Sequence, residues 1–188
     1  SSSTPASPAV TNAAVILAPV TTSRYMLPRP SQAALLGGSA NAALTDPSVG
    51  GALLVGNSGI DTITSGAAGD TLSGGGATSI LRFISGASDG IAFGGSDAIT
   101  FTDAGSGDTL VGGGGDTTAT LSGAGGLFVG NAGGATVSGS GVGDTLAGGS
   151  GGSNLQLAAA VSGGVMFGGA GAATMVDAGT QDTLLGAA

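Results

Sequence analysis

The tetrapeptide GDTL occurs at residues 69–72, 107–110 and 143–146, and QDTL follows at 181–184. The intervals between their aspartates are 38, 36 and 38 residues. Such a return at nearly fixed spacing is the signature of stacked copies of one supersecondary unit. Residues 103–138 divide into nines as DAGSGDTLV, GGGGDTTAT, LSGAGGLFV and GNAGGATVS with nothing left over. The same frame fits 28–64, 65–102 and 139–176, once Asp46, Phe83-Ile84 and Leu157-Ala158 are set aside as insertions before the third nine. A last DAGTQDTLL (177–185) starts a fifth repeat. The organisation is therefore an arm, residues 1–27, followed by a repeat domain, residues 28–188.

Position eight of every nine, from Leu35 to Leu184, is apolar. Glycine-rich positions precede it and alternating residues flank it. This pattern describes a turn followed by a three-residue strand whose middle side chain points inward. Such units cannot bury their apolar side chain alone and gain a continuous core only by stacking.

The nonapeptides resemble the G-G-x-G-x-D-x-U-x unit of the hemolysin-type (RTX) β-roll family. GNSGIDTIT (56–64) fits position for position with Asn57 in the second slot, and the register covers about 158 residues. The resemblance implies an all-β fold, a right-handed parallel β-solenoid with two nonapeptides per turn. Residues 28–185 then make about nine turns, roughly 40 Å long at the spacing between strands.

The same resemblance implies calcium sites between successive turns, built from position-six aspartates of stacked nonapeptides. Position six holds Asp61, Asp70, Asp108, Asp144 and Asp182. The last four recur only at every second turn, with Ala52, Gly90, Gly126 and Gly164 at the intervening corners. Asp61 has Ala42 and Ser79 as stacked neighbours. Asp89, Asp103 and Asp177 stand close enough in the frame to add carboxylates. The expected site is weak, one carboxylate with turn carbonyls around Ca2+. The competing reading has these carboxylates accepting backbone N–H groups within the turns, with no cofactor required.

Positions seven and nine point outward. The third nonapeptides place Leu53/Val55, Ile91/Phe93, Leu127/Val129 and Val165/Phe167 on one sheet face, an apolar stripe that suits contact with another copy or an apolar surface. The opposite sheet carries Thr62/Thr64, Thr100/Thr102, Thr118/Thr120 and Thr136/Ser138. These arrays resemble those of ice-binding solenoids, and they equally suit any solvated strand face.

Composition narrows the function. The net charge of −8 comes from eleven acidic residues, all Asp, against three Arg. With no basic patch, nucleic-acid binding lacks its main source of affinity. No run of 18 apolar residues suggests a membrane span. His, Cys, Lys and Glu are absent, which leaves no activated nucleophile or general base of the usual kind; the chain does not read as an enzyme. The N-terminus has no positively charged leader and reads as a mature chain or one exported without an N-terminal signal. The arm, with AAVILA at 13–18, has three candidate positions: capping its own solenoid, covering the stripe, or adding a strand to a neighbour. The sequence thus predicts an extracellular, secreted bacterial structural protein that self-assembles into a filament, sheet or matrix layer. A calcium-stabilised adhesin or secretion module and an ice-binding solenoid are the alternatives.

Overall fold

A computed structural model describes residues 14–16, 23–26, 34–47 and 50–186. The chain is a parallel β-solenoid: among the described residues nineteen strands form one sheet of ten and one of nine, and successive strands alternate between the two. Two strands make a coil, so the structure lies close to the nine turns expected. Neighbours in each sheet are in register and parallel, as with Leu54 opposite Leu72 and Phe101 opposite Ala119. No helix among the described residues is long and apolar enough to cross a membrane.

The position-eight side chains form the core. Leu44, Leu54, Ile63, Leu72, Phe128, Leu146, Leu155 and Met166 are fully buried. Each such side chain contributes roughly 1.5–3 kcal/mol by leaving water. Met175 is only partly buried and Leu184 is exposed, because they belong to the last coil. The turns are laddered as tightly as the strands. Gly107 N–H donates to Ala124 O at 3.0 Å and Gly125 N–H to Val142 O at 2.9 Å, so the backbone donors of one corner are taken up by the next.

The two sheets differ in a way the nonapeptide frame does not predict. Strands of the ten-stranded sheet have three residues, such as Leu53–Val55 and Ile91–Phe93. Those of the nine-stranded sheet mostly have five, such as Asp61–Ser65, Ser79–Phe83, Thr117–Leu121 and Ser153–Leu157. The two extra residues are also inward-facing, by the period of two. This corrects the reading of Phe83 and Leu157 as inserted loop residues. Both end a strand, are buried, and close one corner of the core; Leu121 does the same without an insertion. Asp46 likewise ends its strand and is buried. Among the insertions only Ile84 and Ala158 belong to the turn, and Ile84 is exposed.

Two segments of the arm are strands. Ala14–Ile16 pairs with Ala34–Leu36, and Ser23–Met26 pairs with Ala42–Asp46, which adds a coil to the same chain's sheets. Pro19 and the rest of the arm lie outside the described residues, as does the end of the chain at 187–188.

Candidate functional site

Two features carry chemistry: an acidic corner on the path from the long strands to the short ones, and the outer face of the ten-stranded sheet.

At the corner, position six alternates along the stack, and the structure gives the reason. Each aspartate reaches back one coil and accepts the N–H of the residue at the same position there. Asp70 Oδ1 accepts Ala52 N–H at 2.8 Å, Asp108 accepts Gly90 at 2.7 Å, Asp144 accepts Gly126 at 3.0 Å and Asp182 accepts Gly164 at 2.7 Å. The first intervening coil holds the small, buried Ala52, and the other three have no room for a side chain. A Cβ on Gly90 would lie 2.5 Å from Phe83, and one on Gly126 or Gly164 would lie 2.8 Å from Leu121 or Leu157. From Asp70 onward the corner thus alternates between a carboxylate coil and an apolar coil. The sequence reading missed this pairing because it set Phe83 and Leu157 aside as insertions; the signal was a Phe or Leu ahead of each of Gly90, Gly126 and Gly164.

The remaining carboxylate oxygens divide into satisfied and unsatisfied. Ser65 Oγ donates to Asp70 at 2.7 Å, and Gly141 N–H donates to Asp144 at 2.9 Å. Asp61 lies at the opposite corner, where it accepts Ala42 N–H and Asn57 N–H, each at 2.8 Å. Asp103 accepts Gly105 N–H and Asp177 accepts Gly179 N–H, both at 2.8 Å. One oxygen each of Asp103, Asp108 and Asp182 is buried without a protein donor. Asp89 is exposed and holds a left-handed backbone (φ 54°) where Gly69, Gly107, Gly125 and Gly143 stand in other coils. Among the described residues no three carboxylates gather to hold one ion. The expected ligands are therefore spread over two corners, Asp61 at one and the rest along the other, where Asp103 lies beside Asp108 and Asp177 beside Asp182.

Burial dominates the electrostatics. It raises the carboxyl groups of Asp70 and Asp103 above the ordinary 3.8. Asp144 is pushed up to about 6 by burial, against two backbone N–H bonds. Asp108 rises to about 7, through burial first and then the charges of Asp103 and Asp89.

On the outer face of the ten-stranded sheet, two rows run along the solenoid. From Leu53 the first is Leu53, Thr71, Ile91, Thr109, Leu127, Thr145, Val165 and Thr183, a large residue alternating with threonine. The second is Val55, Ser73, Phe93, Val111, Val129, Ala147, Phe167 and Leu185. Leu53, Ile91, Phe93 and Phe167 are 41%, 39%, 43% and 41% exposed, and Val55, Leu127, Val129 and Val165 are half-buried. Neither row holds a charged residue over these eight strands.

The opposite sheet faces outward with Thr100, Thr118 and Thr136 in register and Thr102, Thr120 and Ser138 beside them. Ile80 and Arg82 interrupt these rows at one end, Asn154 and Gln156 at the other. A shallow groove of about 470 Å³ begins there, lined by Asp116, Thr118, Thr136 and Asn154.

No protein-family model, curated protein or solved structure matches this chain, so its likeness to the calcium-binding β-rolls rests on the repeated register of its own residues.

Proposed function

We propose that the chain is an extracellular structural solenoid that works by assembling with copies of itself through the outer face of the ten-stranded sheet. The observation that carries this is the charge-free double row along that face, on a chain of net charge −8. Like charges oppose the approach of two acidic chains, and an uncharged apolar face is where they approach at least cost. Sedimentation velocity over a wide concentration range tests it. Mass-action growth of species larger than the monomer is expected; a monomer throughout, with no polymers in negative stain, overturns it.

A second reading, a calcium-stabilised module, is favoured by the buried, donor-less oxygens of Asp103 and Asp108. An ion that binds only the folded chain raises its melting temperature with concentration. An identical melting curve in calcium and in EDTA removes this reading.

A further inference from the structure

We propose that two copies of this chain dock face to face about a two-fold axis parallel to the strands, lying between Thr109–Val111 and Leu127–Val129. The inference rests on the assembly reading above and specifies its contact.

The argument is one of shape along the two rows. Such an axis pairs each strand with its counterpart counted from the other end, so Leu53–Val55 meets Thr183–Leu185 of the second copy. In the first row, every large residue then faces a threonine, as Ile91 faces Thr145. In the second row, the two aromatic residues meet the two smallest: Phe93 faces Ala147, and Phe167 faces Ser73. Moving the axis by one strand spacing spoils the match, because Phe167 then faces Leu36. Shifting it by half that amount sets large residues of the first row against each other. A partner that fills this relief needs the same two-strand period of about 9.6 Å, and a second copy has it by construction.

Size and charge agree. Eight strands with two outward side chains each present sixteen residues per copy, just short of the roughly 20–30 a side in a standard interface. The expected dimer is therefore one that dissociates on dilution. The rows carry no charge to be desolvated, which removes the largest penalty of burying them. The contact is also isologous: each copy uses the same face, so the face is consumed at the dimer. Any longer assembly has to grow through a different surface.

The chain has no cysteine, so introduced thiols report the pairing without background. Ile91→Cys and Thr145→Cys are three strand spacings apart within one chain, about 14 Å, too far for an internal disulfide. The double variant is expected to form covalent dimers under mild oxidation, and a mixture of the two single variants to form the mixed dimer. Neither single variant is expected to link to itself. Self-linking singles, or an unlinked double variant that still sediments as a dimer, overturn the proposed pairing while leaving the assembly reading intact. A wild-type chain that is monomeric at every concentration overturns both. A size exchange supplies the second arm. Ala147→Phe is expected to abolish the dimer, and Phe93→Ala with Ala147→Phe to restore it. Failure of the exchange to restore the dimer, with both variants folded by circular dichroism, also overturns the pairing.

Discussion

Asp108 and Gly90 show at the level of single residues how this corner is held. The carboxylate is buried because it supplies the acceptor that Gly90 N–H lacks, and the glycine is bare because Phe83 occupies the space of its side chain. Holding carboxyls in that position has a pH signature. Asp70, Asp103, Asp108 and Asp144 all ionise less readily folded than unfolded, so between about pH 4 and 7 the folded chain keeps protons that the unfolded chain has released. Their contribution to stability is therefore complete below the ordinary carboxyl range. It declines as pH rises and reaches its floor above the folded value of Asp108. Denaturant midpoints should fall on going from mild acid to neutrality, opposite to the usual acid-denatured protein. Asp108→Asn should flatten much of that fall. A second residue-scale expectation concerns Asp89, which holds a left-handed backbone that glycine adopts freely. Asp89→Gly should stabilise by about 0.5 kcal/mol, after the loss from a looser unfolded chain, and thermal melting measures it.

At the level of the element, the turns are stricter than the strands. Gly123 and Gly125 are two residues apart in one turn and differ in what glycine does there. Gly125 has φ 71° and open space around a Cβ, so Gly125→Ala meets only backbone strain, about 1 kcal/mol. A Cβ on Gly123 would overlap the carbonyl oxygen of Gly105 in the coil below. Gly123→Ala should cost more than about 4 kcal/mol, or prevent the coil from closing, and comparing the two variants by urea unfolding separates the causes. Strand position was largely legible in the sequence. The alternating apolar residues placed Leu54, Ile63 and Leu72 in the core and Leu53, Ile91 and Phe93 on the outer face. The length of the long strands was not legible, since a frame of nines assigns the tenth residue to the next unit and makes Phe83 and Leu157 look inserted. The aspartates were legible as turn residues, whereas which backbone N–H each accepts depended on the coil-to-coil register.

For the whole molecule, stability runs along one dimension, since each coil touches chiefly its two neighbours. Strands at the middle of the stack, such as Ile99–Asp103 and Thr117–Leu121, pair on both sides. The last strand, Thr183–Leu185, pairs on one side and exposes Leu184 and Leu185. Hydrogen exchange should therefore be slowest in the central coils and quicken toward Thr183–Leu185, a gradient that mass spectrometry of peptides resolves. Uniform protection along the stack would mean the chain opens only as one unit.

The alternation of carboxylate and apolar corners also gives the molecule a unit of length. Excising residues 103–138 would remove two coils and set Gly90 beneath Asp144, leaving every corner with its acceptor. Excising residues 103–120 would remove one coil, strand the Gly90 N–H and stack Leu121 directly on Phe83. A gene for this chain can therefore lengthen or shorten its product smoothly only by duplicating or losing coils in pairs, and the interval of 36 to 38 residues between its aspartates is that step.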